Sequence, residues 1–338
     1  FNAIGNNPIQ NIGGSPSFIN AGNFIKTTGP GTTTVGVAYT NSGTTKGLGI
    51  IDFTSTLTNT GYIAPGLSPG IFTLNGAQPL SSSSTLQIEM LDGTGPGTGH
   101  DQLQRNGNLT LAGNITVTDN PGVPYGTYTI IDLTGGDISG TFGSETLPYY
   151  YTLAIDLTND EVKVTKSPPA SLPTHYFRSR VTGNWSAPGT WESSPVADFS
   201  AGIVSPATLS PDNNANTITI RNAHNVTLSA SVTADQIVVD AGGTFTHNDN
   251  LTLANGAGDD LTVNGLWVWN SFSLTGAGNA VVSNTGTLNL ETVTAKYLGV
   301  SLTNNGIMDW KNGVINFFSS ATLTNNATWN ITGTNTTS

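Results

Sequence analysis

Cysteine is absent from all 338 residues. Its absence excludes disulfide staples, zinc sites built on thiolates and a thiol nucleophile. Charge is scarce as well. Asp, Glu, Lys and Arg make up 9% of the chain, against roughly 25% in an average soluble domain. Cations are the rarer sign, with ten Lys and Arg against 21 Asp and Glu and a net charge of −11. Nucleic-acid binding rests on neutralising phosphates, so neither nucleic acid nor an anionic membrane surface is an expected partner. There is no run of about 18 apolar residues, the length a membrane-spanning helix needs, and no sustained helical periodicity. The chain starts at Phe1 without Met and without a signal peptide, and is read as a mature or processed fragment.

What is present is Thr, Asn, Ser and 41 Gly, mixed with 36% hydrophobic residues. Strand-favouring Thr, Val, Ile, Leu and aromatics alternate with turn-favouring Asn and Gly. That pattern writes short strands joined by tight turns. Asn-Gly punctuation recurs in LTVNGLWVWN, VVSNTGTLNL, LTNNGIMDWK and LTNNATWNIT, anchored at Gly265, Gly286, Gly306 and Ala327. The first half repeats the device at Gly22, Gly43 and Gly61. Spacings near 20 fit one coil of a parallel β-helix, whereas a propeller blade needs about twice that length.

Alignment on the anchors sharpens the pattern. Four residues before them stand Leu261, Val282, Leu302 and Leu323. Two residues after stand Trp267, Leu288, Met308 and Trp329, and four after stand Trp269, Leu290, Trp310 and Ile331. Between these rows lie Val268, Asn289, Asp309 and Asn330. Apolar residues two apart with a mostly polar residue between them give a strand with one buried face. The corner Asn and Gly tolerate positive φ. Asn20, Asn41, Asn59, Asn284, Asn304 and Asn325 share the position two before the anchor, where stacked amides can form an internal ladder or act as separate turn residues.

The expected fold is therefore all-β: a right-handed parallel β-helix with coils of about 20 residues, in two modules. The modules are residues 1–165 and 176–338, joined by a Pro-rich linker at 166–175, where KSPPASLPT cannot lie in a central strand.

Each module resembles a family. GYIAPGLSPGIFTLNG, STLQIEM, HDQLQRNGNLTLAGNITV and GTYTIIDLTGGDISGTF occur in that order over residues 57–165. They resemble the passenger-associated repeat of autotransporter-like surface proteins, apart from His100 where that family places another aromatic. THYFRSRVTGNWSAPGTWESSP and NTITIRNAHNVTLSASVTADQIVVDAGGTFTHNDNLTL resemble a repeat-rich module of Bacteroidetes surface proteins over 176–265. These resemblances imply a secreted, cell-surface β-helix of a Gram-negative bacterium.

Candidate sites are weighed against bland alternatives. Glycosidic cleavage needs two carboxylates within about 5–10 Å, and Asp240, Asp259 and Asp260 are the nearest approach to such a set. The Gly243-to-Gly265 spacing places Asp240 opposite Thr262, against an Asp240–Asp260 pair. Calcium wants six to eight oxygens, and neither GAGDD (256–260) nor DGTGPGTGHD (92–101) has a regular calcium spacing. Their acids read as solvated turn residues. Trp267, Trp269, Trp310 and Trp329 read as core, and Trp185 and Trp191 as a cap on the first coil of their module. His100, His175, His224 and His247 share no ligand spacing; His247 takes an inward slot with a local hydrogen bond. The sequons at Asn225 and Asn330 are expected by chance in so Asn- and Thr-rich a chain.

No catalytic, cofactor-binding or metal residue is assigned. The expected function is a non-catalytic extracellular structural or adhesive protein, a fibre subunit associating head to tail and touching surface glycans or other cells. The alternative is a carbohydrate-binding or polysaccharide-cleaving β-helix. The opening segment, with Phe1, Ile4, Ile9 and Ile12, is expected to cover or extend the C-terminal coils of another subunit in a head-to-tail contact.

Overall fold

The computed structural model describes residues 1–27 and 31–333. Two compact units divide between Pro168 and Pro169. Among the described residues the regular structure is strand, apart from a short 3-10 turn at Pro188–Thr190.

Both units are parallel β-solenoids. In the first, the chain passes in turn through strands Ser17–Asn20, Asn23–Lys26 and Thr32–Val35, then Ala38–Asn41, Thr44–Gly47 and Gly49–Phe53. Each strand pairs in parallel with the equivalent strand of the next coil. Early coils are short, Asn23 facing Thr44 and Thr44 facing Tyr62. Later coils are longer, Thr85 facing Asn114 and Asn114 facing Ser144. An antiparallel hairpin, Tyr151–Asp156 with Glu161–Lys166, closes one sheet against Gly126–Gly135. The strand pattern alternates buried and partly exposed residues, so one face of every coil fills the interior.

The second unit keeps the coil length read from the sequence. Thr244, Leu266, Thr287, Ile307 and Thr328 stand over one another in register. The two inward rows match the anchor offsets: Trp267 pairs with Leu288, Met308 and Trp329, and Trp269 with Leu290, Trp310 and Ile331. Burial falls along the stack. Trp267, Trp269, Leu288, Leu290 and Met308 are buried, Trp310 and Trp329 are half-buried, and Ile331 is 68% exposed. Ile331 therefore faces along the stack axis without a described coil above it, and the expected buried stack of four holds for two.

The row before the anchors needs a correction. Leu261 pairs with Ala280, not with Val282, and Val263 pairs with Val282, which in turn pairs with Asn304. Four residues, 283–286, turn this corner, whereas two suffice at 264–265 and 305–306. Counting back from glycine therefore slips by two. Asn284 consequently lies exposed on the longer corner. The amide ladder is otherwise real: Asn20 Nδ2 donates to Asn41 Oδ1 at 2.7 Å, Asn41 to Asn59 at 2.8 Å, and Asn304 to Asn325 at 2.7 Å.

The corner glycines also act differently from expectation. None of Gly22, Gly43, Gly61, Gly265, Gly286 and Gly306 is among the positive-φ residues. Space is the reason for Gly: a Cβ on Gly43 would lie 2.0 Å from Gly22 O, and one on Gly286 2.0 Å from Val263 O. At Gly43, Gly61, Gly265, Gly286 and Gly306 the corners stack so closely that a side chain would clash with backbone, whereas Gly22 has open space and Ala327 holds the last anchor.

Trp185 and Trp191 fill the first coil of the second unit. Their rings meet edge to face at 5.1 Å, and Trp191 Nε1 donates to Trp185 O at 2.7 Å. At the start of the first unit, residues 1–9 are already engaged in cis. Asn2–Ala3 pairs with Ile25–Lys26, Ile9 bridges Val35, and Lys26 Nζ donates to Gly5 O at 2.9 Å. The Phe1 ring packs on Phe18 and Phe24. The opening segment thus straps its own first coil as far as Ile9, while Ile4 and Ile12 are exposed.

Candidate functional site

The sequence motifs of residues 61–101 converge on one cleft of the first unit. Strand Tyr62–Pro65 leaves the sheet at Gly66, and the loop Gly66–Ser68 overhangs the outer face before the chain returns at Gly70. The turn closes tightly, since a Cβ on Gly66 would lie 2.2 Å from Gly70 N. Beneath the overhang is a cleft of about 280 Å³ bounded by Lys46, Ala64, Gln87, Glu89, Asp101 and Thr116.

Two carboxylates hold this overhang. Asp101 is 4% exposed and accepts from Gly70 N at 2.8 Å and Glu89 N at 2.9 Å. It thereby ties the returning loop to the neighbouring strand Thr85–Met90. Burial pushes its carboxyl up to about 7, opposed by those two backbone donors and reinforced by the adjacent Glu89 charge. Glu89 in turn accepts from Ser68 Oγ at 2.8 Å. Ser68 has φ +130°, a conformation rare for a residue with a Cβ and one that costs of order 1–3 kcal/mol. The solvated turn expected at Asp101 is instead a buried clamp. The signal was the order of AlaProGly-turn, strand Glu and later Asp, whose convergence only the long coil makes visible.

The other candidates separate. Asp240 does not meet Asp260. Val239 pairs with Val263, so Asp240 stands level with Asn264 and not with Thr262, because its corner is longer. Asp260 instead neighbours Asp235, whose carboxyl is held above its usual range by burial and by the Asp260 carboxyl. Asp260 also accepts from Gly256 N at 2.8 Å and Asn279 N at 2.7 Å, and Asp259 accepts from Asn279 Nδ2 at 2.7 Å. GAGDD is therefore a tied corner. Among the described residues no three His, Asp or Glu are grouped to hold a metal ion.

His247 takes its inward slot between aromatic planes, parallel to Trp269 at 5.3 Å and to Phe245 at 5.9 Å. The expected local bond is not formed: both ring nitrogens lack a well-made hydrogen bond, the nearest polar groups being the backbone of Asp249 and Ser273. Burial lowers its pKa to about 4. His100 Nε2 donates to Thr129 O at 3.1 Å, and His175 and His224 contact Ser193 and Ser179. Asn225 and Asn330 join outward ladders with Thr246 and Asp309.

Buried cations follow the same rule as the acids. Arg105 donates to the carbonyls of Leu74, Gly76, Ala77 and Asn108. Lys296 Nζ donates to Thr294 O at 3.0 Å and Thr292 O at 2.5 Å, and burial lowers its pKa to about 8. Each neutralises corner carbonyls that would otherwise be buried unpaired.

Compared with protein-family models, with curated proteins and with solved structures, the chain shows no match. Function must accordingly be argued from this geometry.

Proposed function

We propose that this protein is a non-catalytic structural and adhesive β-solenoid of the bacterial cell exterior. One observation carries the reading. Side chains that elsewhere do chemistry are used here to bind coil to coil: Asp101, Arg105, Asp260 and Lys296 are each hydrogen-bonded to two or more backbone groups. Asn41 and Asn304 extend the same use through amide ladders. A chain organised in this way spends these side chains on holding coil to coil. The resemblance of both halves to secreted surface proteins supports the same reading, as does the scarcity of charge.

Assembly belongs to the proposal. The coil ending at Ile331 leaves Phe317 at 52% and Ile331 at 68% exposure. Whatever covers that coil, further chain or a second copy, continues the stack. Head-to-tail self-association is the second-copy version, and it is heterologous and open-ended.

The test uses the full chain with a panel of neutral and acidic polysaccharides, scoring both co-sedimentation and new chain ends. Retention without cleavage is the expected outcome. Turnover of any polymer would overturn the non-catalytic reading. Sedimentation velocity over a concentration series addresses assembly, and a strictly monomeric protein at high concentration would remove that part.

A further inference from the structure

The cleft under the Gly66–Ser68 overhang departs from the rule that polar groups are consumed internally. The chain has ten Lys and Arg. All but Lys46 and Arg180 make a side-chain hydrogen bond or ion pair among the described residues. Arg180 is exposed on a turn. Lys46 is half-buried and lines the cleft. Gln87, on the same wall, likewise has no side-chain partner in the described structure, and Glu89 has one carboxylate oxygen left over from its Ser68 bond. An ammonium, an amide, a carboxylate oxygen and the Thr116 hydroxyl thus converge unspent on one space.

The walls around them are of the other kind. Ala64, opposite Lys46 in register, gives the floor a bare methyl, while Pro65 and Leu67 form an apolar lip. Small-ligand sites combine apolar walls with a few placed polar groups. The donors and acceptors here suit hydroxyls, which both give and take hydrogen bonds.

Other ligand classes fit less well. The Glu89 carboxylate offsets the Lys46 charge, so the cleft selects neither a strong anion nor a cation. An extended peptide needs a free strand edge, yet Thr44–Gly47, Tyr62–Pro65 and Thr85–Met90 are each paired on both sides. The strained Ser68, pinned to Glu89, holds the lip in place over the space, as strained residues do at ligand clamps.

We infer that the cleft framed by Lys46, Ser68, Gln87, Glu89 and Thr116 binds a neutral oligosaccharide. This rests on the adhesive reading above and gives it a ligand class and a site. The test screens the full chain on an array of neutral and acidic glycans, then titrates the best neutral oligosaccharide calorimetrically. Lys46→Ala and Gln87→Ala should each weaken binding about three- to tenfold, the effect of losing one or two hydrogen bonds. Thr116→Tyr, which fills the cleft from an outward position, should abolish it. Arg180→Ala should bind as the wild type, and all four variants should melt with the wild type. Absence of neutral-glycan binding at millimolar concentration, or wild-type binding by Thr116→Tyr, would overturn the inference. Binding of acidic glycans alone, lost in salt, would also overturn it. Cleavage of a glycan bound in the cleft would instead defeat the non-catalytic reading while leaving the site standing.

Discussion

His247 links the stability of the second unit to pH. Its imidazole is fully buried and titrates at about 4 in the fold, against 6.5 when free. The unfolded chain therefore binds the proton more tightly than the folded one. The stability it allows is fully present above pH 6.5 and is lost as the pH falls towards 4. At about 1.4 kcal/mol per tenfold change in proton affinity, the loss is about 3 kcal/mol. Asp249 is the acidic group acting on the ring, and it remains in the variant His247→Phe, which keeps an aromatic plane between Phe245 and Trp269. All six Trp belong to residues 185–329, so tryptophan fluorescence reports the second unit alone. Urea unfolding of wild type and His247→Phe at pH 7 and at pH 4 gives the difference directly. Contributions of the other acids, the Asp235–Asp260 pair included, cancel between the two proteins. The variant should gain about 3 kcal/mol relative to wild type on acidification. A difference that stays constant between the two pH values would mean that the protonated ring finds a partner or water, and the reasoning fails.

Asp101 should act with the opposite sign in the first unit. Its folded pKa of about 7 lies above the free value of 3.8, so the stability it confers is present below pH 3.8 and lost as the pH rises through 7; Asp101→Asn should flatten that loss, read by hydrogen exchange of strand Thr85–Met90. Asn41→Ala removes a ladder rung bonded on both sides and should cost about 2–4 kcal/mol, whereas Asn284→Ala, on an exposed corner, should cost little; thermal melts compare the two. Trp267→Ala should cost about 3–5 kcal/mol, as large-to-small core changes do, and Trp310→Ala clearly less, because Trp310 is half-buried. Gly306→Ala should destabilise the stack although its φ is ordinary, since a Cβ there would lie 2.2 Å from Ser283 O; melting like wild type would show that the coils can move apart.

The parts of this fold legible in the sequence are those written as short-range periodicity. Strands Leu266–Trp269, Thr287–Leu290, Ile307–Trp310 and Thr328–Ile331 follow one alternation, and their register could be read from the Gly anchors that flank them closely. Legibility ended where corner length changed. Two extra residues at 283–286 moved Val282 onto Val263 and released Asn284 to solvent, and the corner after Val239 moved Asp240 in the same way. Nothing in composition marks such an insertion. The cleft was illegible for a related reason. Asp101 meets Gly70 across 31 residues, a separation set by the longer coils of the first unit, while its Gly-rich surroundings read as an exposed turn. His247 shows a third limit: alternation placed it inward, but only its neighbours show that no well-made bond awaits it.

The central claim is a stack of parallel coils held in one register, and the absence of native cysteine makes it directly measurable. Thr246 and Val268 are outward-facing partners on adjacent coils, and Asn289 is the next in the row. Adjacent parallel strands lie about 4.8 Å apart, within disulfide reach, and strands two apart lie beyond it. Under mild oxidation the double variant Thr246→Cys with Val268→Cys should form an intramolecular disulfide, and Thr246→Cys with Asn289→Cys should remain reduced. The reverse result, or cross-linking of Thr246→Cys to Leu266→Cys as readily as to Val268→Cys, would contradict the register of the second unit.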